Sequence, residues 1–255
     1  MNIARHLIPG PVKQRYLDIK KRLDRLELTV RGLETALDAM LVNPKYVPGD
    51  DIGFNGQRHR KKIFGDIIAN LPVEAIVETG TWIGNTTAYM AQTSEKPVCS
   101  CELNARFHAI AKLRLAGIER VQLELNDSRS FLQKLTTGGL VEKCVFFYLD
   151  AHWYDDLPLA KEVDLIAAHW KRFIVMIDDF KVSDDPGYEF DDYGNGKTLA
   201  LPLINEAIAA HQLAAFFPAA AARDETGARR GCVVLASRGE LAGKLSQLTS
   251  LRPAK

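Results

Sequence analysis

The run Val77-Glu78-Thr79-Gly80-Thr81-Trp82-Ile83-Gly84-Asn85-Thr86-Thr87 places a carboxylate and two glycines in what reads as the turn between a strand and a helix. Gly80 permits a tight turn with close backbone approach, and Gly84 lets the helix begin hard against a ligand. Trp82 and Asn85 stand where the dinucleotide fingerprint has its second and third glycines, which argues against NAD. An acidic residue in such a turn suits a ligand carrying an ammonium group better than a pyrophosphate. Glu102 follows at the end of the next apolar run, where a carboxylate can accept both hydroxyls of a ribose. Asp127 and Ser128 end the third run, placed either to meet an adenine amino group or to cap the next helix.

A second group of reactive side chains lies further along the chain. Phe146-Phe147-Tyr148-Leu149-Asp150 opens onto Ala151-His152-Trp153-Tyr154, and Ile174 to Ile177 ends in Asp178-Asp179. Three carboxylates converging on one crevice repel unless they are protonated, paired with a base or neutralised by a cation, and an all-oxygen set suits a hard ion such as Mg²⁺. His152 titrates near neutrality when unperturbed and is a candidate general base. Packing or helix capping by His152, a loop role for Asp179 and proton acceptance by Asp150 are the alternatives.

The elements that must position these groups alternate regularly. Strand-like runs at Ala75 to Glu78, Val98 to Glu102, Val121 to Leu125, Val145 to Asp150 and Phe173 to Asp178 are separated by helical ones starting at Asn85, Ala105, Ser128 and Pro158. Such a rhythm implies right-handed crossovers and a parallel sheet covered on both faces, with ligands at the carboxyl ends of the strands. A helix near Leu199 to Ala210, an apolar run Leu213 to Phe217 and a strand Cys232 to Ala236 then predict an antiparallel hairpin at the sheet edge. The fold expected is therefore α/β, Rossmann-like and doubly wound, with a closing antiparallel strand pair.

With the acidic glycine turn, Glu102 and Asp127 in order and in register, residues 58–237 resemble the class I S-adenosylmethionine-dependent methyltransferases. The resemblance implies that Glu78, Gly80, Thr81 and Gly84 cradle the amino-acid end of S-adenosylmethionine, Glu102 its ribose, and Asp127 with Ser128 its adenine. The second group is similar to that of the metal-dependent O-methyltransferases of the catechol and macrolide-sugar types, which implies Asp150, Asp178 and Asp179 as ligands of Mg²⁺. His152 and Asp150 are then the candidate catalytic residues. The catechol type has a lysine base in this loop, and no lysine occurs between Asp150 and Leu159. The acceptor implied is a hydroxyl on a small molecule, a sugar or glycoside ahead of a catechol. A metal-dependent hydroxylase on the same scaffold and a non-enzymatic nucleoside-binding oligomeric module are the competing readings.

The formal charge of +1 among 255 residues supplies no basic field for nucleic acid or an anionic membrane, and no apolar run reaches membrane-spanning length. A cytoplasmic location is expected, with Cys99, Cys101, Cys144 and Cys232 as reduced core thiols. Val12, Tyr16, Ile19, Leu23, Leu26, Val30, Leu33, Leu37 and Met40 follow a heptad, with Arg22 and Glu27 placed to pair between parallel helices. Residues 1–44 are thus expected to form a helix that either gathers copies of the chain into a coiled coil or packs on its own domain. Residues 45–57 read as a linker, 58–237 as the methyltransferase domain and 238–255 as a C-terminal helix or tail. The cluster Arg58, His59, Arg60, Lys61 and Lys62 reads as a solvated helix face, with contact to an anionic acceptor as the alternative. The segment 184–197, carrying Tyr188, Phe190 and Tyr193, reads either as a lid that stacks on the acceptor or as an ordinary structured loop.

Overall fold

The computed structural model describes residues 10–42, 53–152 and 156–254. It divides into two units, 1–48 and 49–255. In the first, α1 (Gly10–Val42) is a single helix of 33 residues. Its heptad residues Tyr16, Ile19, Leu23, Leu26, Val30 and Leu33 are all exposed. Glu27 pairs with Arg31 one turn along its own helix, at 2.7 Å, rather than being left for a neighbour. The side chains of Val12, Leu37 and Met40, and the Asn43-Pro44 stop signal, lie outside the described residues.

The second unit holds α2 (Arg58–Asn70), β1 (Ala75–Thr79), α3 (Asn85–Ser94), β2 (Val98–Glu102), α4 (Ala105–Arg114), β3 (Val121–Leu125) and α5 (Ser128–Leu135). It continues through β4 (Val145–Leu149), α6 (Leu159–His169), β5 (Phe173–Ile177), α7 (Leu201–Ala210), β6 (Leu213–Pro218), β7 (Val233–Ser237), α8 (Glu240–Leu245) and β8 (Leu251–Pro253). One sheet runs β3-β2-β1-β4-β5-β7-β6-β8. The first five strands are parallel, and β7, β6 and β8 add on in antiparallel fashion. The α/β, Rossmann-like fold expected from the alternating runs is therefore the fold observed.

Strand pleating explains the two apolar layers. Val77, Phe147, Val175 and Leu235 face α5, α6 and α7 through Leu132, Val163 and Ile204. Ile76, Phe146, Ile174 and Val234 face α2, α3 and α8 through Phe64, Met90 and Leu245. Among the described residues no helix is long and apolar enough to cross a membrane. All four cysteines are free, Cys99 half-buried and the others buried.

Both expected domain boundaries move outward. The linker assigned to 45–57 lies outside the described residues up to 52, but from Gly53 the chain forms a single 3₁₀ turn packed into the domain. Phe54 is fully buried there, with its ring centroid 5.4 Å from that of Phe64 and 5.2 Å from that of Tyr148. The Gly and Asn content of this stretch serves a turn: Phe54 and Asn55 both take left-handed backbone angles. At the other end, 238–255 contains a helix, as expected, but it is packed into the domain and followed by a strand. Its α8 buries Leu241 and Leu245, and β8 pairs with β6. Three residues of β8 give too short a periodic signal to be read from the sequence.

Replacing Phe54 by Ala is expected to cost about 3 to 5 kcal/mol of unfolding free energy, the usual loss for emptying a buried aromatic position. Urea titration checks this, and a loss under ~1 kcal/mol is what a true linker residue gives.

Candidate active site

The strand order reverses direction of growth between β1 and β4, so the carboxyl ends of β2, β1, β4 and β5 open one crevice. Glu102, the turn after Thr79, Asp150 and Asp178 all sit at that edge. The Asp150 amide donates to Thr79 O (2.9 Å) and the Asp178 amide to Leu149 O (3.0 Å), which locks the three strand ends side by side. Gly80, at φ 84°, lies so close to β4 that a Cβ there would be 2.2 Å from the Asp150 carbonyl oxygen. The close approach that glycine permits is thus between the two halves of the crevice.

Glu78 is buried, and its Oε2 accepts from Thr87 Oγ1 (2.5 Å) and Ser100 Oγ (2.6 Å), while Thr81 Oγ1 is 2.5 Å from Ser100 Oγ. Burial outweighs these hydroxyls and raises its carboxyl to about 7. Glu102 accepts the Trp82 amide on Oε2 (2.7 Å) and the Asn104 amide on Oε1 (2.8 Å), so both oxygens are fixed at the turn's outer lip. Burial raises this carboxyl as well, against those amides. Trp82 itself takes a left-handed φ of 50°, local strain of the kind that collects at ligand turns. Gly84, at φ 83°, also has a packing role. A Cβ there would press on Leu115 at 3.2 Å and Ala111 at 3.4 Å, so its missing side chain admits the C-terminal end of α4.

Asp127 is the N-cap of α5, accepting from the Arg129 amide (3.0 Å) and the Ser130 amide (3.2 Å). The Arg129 guanidinium grips the same carboxylate and reaches Asp156 (2.7 Å). These contacts realise the capping alternative for Asp127. Ser128 is buried and faces Glu162, a carboxyl of α6 that the sequence reading passed over. Burial raises Glu162 to about 7, with the Ser128 and Thr79 hydroxyls opposing the shift.

At the other half of the crevice the three aspartates separate. Asp178 is fully buried against Arg60 of α2, with the Tyr148 hydroxyl on its second oxygen and the Asp179 amide donating to Oδ1 (2.7 Å). Burial alone would raise this carboxyl, but Arg60 and Tyr148 overcome it and hold the group below the usual range. Asp179, at φ 52°, turns away from Asp178 to meet Arg230 Nε at 2.6 Å, and Arg230 also binds Asp191. Burial and the neighbouring Asp178 raise Asp179 to about 7 despite Arg230. Asp150 is raised well above the ordinary range by loss of water, then by Asp178, Asp179 and Glu78.

His152 lies 3.8 Å from Asp150, Nε2 to Oδ1, and is 1% exposed. Burial lowers it to about 4, so the ring is neutral at physiological pH. The donor group that converges is Asp150, His152 and Asp179, with ligand atoms within 4.8 Å of one another. Asp178, expected as the third ligand, is engaged by Arg60 instead. Trp153 and Tyr154 lie outside the described residues.

The basic cluster is likewise divided. Arg58, Lys61 and Lys62 are at the surface or its margin, but Arg60 is buried and also donates to Arg230 O (2.6 Å) and Gly231 O (2.9 Å). Glu225, also buried, accepts the His59 and Arg60 amides at 3.0 and 3.3 Å and thereby caps α2. The 184–197 segment follows the structured-loop alternative. Tyr188 is a core residue whose hydroxyl binds Ala220 O (3.0 Å), and Tyr193 bonds to His152 O (2.9 Å). Phe190 lies under Lys181 Nζ at 5.1 Å from its ring centre.

No family model matches the sequence, and no curated protein matches it. Solved structures do match the fold. An O-methyltransferase from Bacillus cereus, in complex with SAH, aligns over 83% of this chain and 91% of its own at a TM-score of 0.54, with 16% identity. The fold is that of the class I O-methyltransferases. The O-methyltransferase TomG from Streptomyces achromogenes, involved in tomaymycin synthesis and solved with SAM, covers 84% of this chain and 90% of its own, with TM-score 0.53 and 15% identity. A putative O-methyltransferase from Klebsiella pneumoniae gives 83%, 90%, 0.52 and 19%. In this methyltransferase fold Arg60, Glu162, Glu225 and Arg230 are the polar residues around the crevice that the sequence reading missed.

Glu78 and Glu162 both rise from an ordinary 4.5 to about 7. Each contributes stability that is complete below about 4.5 and lost as pH rises through about 7, because in that window only the folded chain keeps the proton. The loss is at most about 3 kcal/mol per group. Glu162→Gln, neutral at every pH, is expected to remove roughly half of the two groups' joint slope in unfolding free energy between pH 5 and 8. Denaturant titrations of both proteins across that range measure it, and parallel curves would contradict it.

Proposed function

We propose that the protein moves the methyl group of S-adenosylmethionine to a hydroxyl of a small acceptor, a sugar or glycoside ahead of a catechol. The observation that carries this reading is the placement of the Gly80 turn and Glu102 on one side of the switch point and Asp150 with His152 on the other. One side has the chemistry to bind a nucleoside with a charged amino-acid tail. The other has the chemistry to take a proton from a hydroxyl.

Glu102 suits the ribose, since its carboxylate is already held by two backbone amides and can accept the paired hydroxyls without rearranging. Glu78 suits the amino-acid end, where an ammonium group stabilises the ionised carboxylate that burial opposes. Asp127, held as a helix cap by its own helix and by Arg129, enters as the residue fixing the adenine-side turn, with Ser128 lining it. In the reaction the acceptor oxygen's electron pair forms the new O–CH3 bond as the C–S bond of the sulfonium breaks, leaving S-adenosylhomocysteine. The hydroxyl proton passes to His152, neutral and buried, or to the Asp150 carboxylate beside it. The absence of lysine between Asp150 and Leu159 favours a non-catechol acceptor. A Mg²⁺ ion on Asp150, Asp178 and Asp179 does not fit these residues, because Asp178 is neutralised by Arg60, and no step is drawn through it. Four free thiols suit the reducing cytoplasm.

Calorimetric titration with S-adenosylhomocysteine, with NAD as control, tests the cofactor. The homocysteine compound is expected to bind and NAD not, and Glu102→Gln to weaken binding by about 10- to 100-fold, the worth of a charged hydrogen bond. No binding by the wild type would end the methyltransferase reading.

The exposed apolar stripe of α1 supports a second part of the proposal, self-association through that helix. Light scattering is expected to report an oligomer for the full chain and a monomer for Leu23→Glu combined with Leu26→Glu. A monomeric wild type would reject it.

A further inference from the structure

We propose that the cavity between the start of α2 and the segment leading into β8 binds a phosphate group, free or as the monoester of a small molecule. The inference does not depend on methyl transfer, and it places the site outside the crevice.

The cavity has a volume of about 300 Å³ and is lined by His59, Lys62, Ala219, Ala220, Thr249 and Ser250. Its position follows from the sheet. Strands β5 and β6 are each antiparallel to β7, so β6 ends at the edge where β5 ends. Ala219 and Ala220 therefore leave the sheet two strands, roughly 10 Å, beyond Asp178. The Ala219 amide donates to Ser250 O (2.9 Å), which brings the approach to β8 against them. On α2, His59 and Lys62 lie three residues apart and share a face, while Arg60 between them is turned to Asp178. The basic run 58–62 thus splits into one buried anchor and a pair that lines the cavity.

Three observations give the chemistry of the ligand. First, no carboxylate lines the cavity. Lys62, Thr249 and Ser250 can each donate a hydrogen bond, and His59 can do so through whichever ring nitrogen carries the hydrogen. Second, Ser250 is 8% exposed, and its Oγ has no hydrogen-bond partner among the described residues. A hydroxyl shut away from water normally bonds to something, so this one is set for a group that the chain does not supply. Third, the Lys62 ammonium is held by Asp66 one turn along its own helix, at 2.8 Å, with Lys62 half exposed. An exposed pair of this spacing is weak, and a multiply charged anion recruits the ammonium from it at little cost. The donors come from two segments, α2 and 249–250. A tetrahedral phosphate offers oxygens to both at once, where a planar carboxylate turns its two oxygens one way. The volume and the two alanines leave room for the organic part of an ester.

The test is calorimetric titration of the full chain with inorganic phosphate and with phenyl phosphate, each against sodium chloride of equal ionic strength. One phosphate is expected to bind per chain. Lys62→Ala and Ser250→Ala are each expected to weaken it by about 10-fold, the worth of a hydrogen bond to a charged group. Tighter binding of phenyl phosphate would identify a monoester as the form the site takes, and equal binding would identify free phosphate. Ser250→Ala adds a readout that a structural role would move the other way. Because its hydroxyl is buried without a partner, removal is expected to leave the urea midpoint of the ligand-free protein unchanged or raised while phosphate binding falls. No phosphate binding at millimolar concentration, affinities unaltered in both variants, or a lowered urea midpoint for Ser250→Ala would each overturn the proposal. Displacement of phosphate by S-adenosylhomocysteine would do the same, since it would put the anion in the crevice.

Discussion

The buried pair of Arg60 and Asp178 is the contact on which the acceptor half of the crevice depends. It joins the first turn of α2 to the residue that follows β5, with neither partner accessible to water. Such a pair gives little net stability over apolar packing, yet removing one partner strands the other charge at a cost of about 3 to 5 kcal/mol. Its value here is positional. Arg60 also binds the carbonyls of Arg230 and Gly231, so one guanidinium ties α2, the end of β5 and the approach to β7 together. Arg230, held at that junction, in turn reaches Asp179. Orientation of the crevice carboxylates is thus transmitted from a helix lying before the first strand.

The same pair divides the labour of two adjacent aspartates. Asp178 continues the β5 face that carries Ile174 and Met176, the face packed under Ile63, Phe64 and Ile67 of α2. Asp179, forced into a left-handed turn, leaves that face and looks toward Arg230 and Asp150. One aspartate becomes an ionised structural anchor, and the other keeps a carboxyl that burial holds near neutrality. Their sequence neighbourhood suggests a chelating pair; their backbone angles assign them to different partners.

The sheet was legible in the sequence because β4 and β5 are continuous apolar runs, β1 opens on one, and two of the intervening helices carry N-cap signals, Asn104 for α4 and Asp127 for α5. The positions of Glu78, Gly80 and Glu102 were legible for the same reason, since they are fixed by strand ends. What escaped was charge on apolar faces. Arg60 precedes Ile63, Phe64 and Ile67 by three, four and seven residues, and Glu162 follows Leu159 by three and precedes Val163 and Ile166. Those spacings place both side chains inward, a signal present in the sequence but hidden by reading 58–62 as a run of like charge rather than by helical position. The close approach behind Gly84 and the short strand β8 had no local signal, because each is defined by partners distant in the chain.

These misses share a physical cause that bears on the site itself. A buried charge is tolerated only with a partner, so the sequence positions that look inappropriate for a core are the ones that must reach across to another element. Arg60 finds Asp178; Glu162, whose carboxyl faces only the Thr79 and Ser128 hydroxyls, is instead pushed toward the protonated form. His152 belongs to the same class as Glu162, since neither ring nitrogen meets a hydrogen-bond partner among the described residues. Asp178, Glu78 and Glu102, by contrast, are each met by a charge, a hydroxyl or a backbone amide. At His152, beside Asp150, the same cost of burial falls on the protonated ring, which is therefore held neutral, as Glu162 is held toward its own uncharged form.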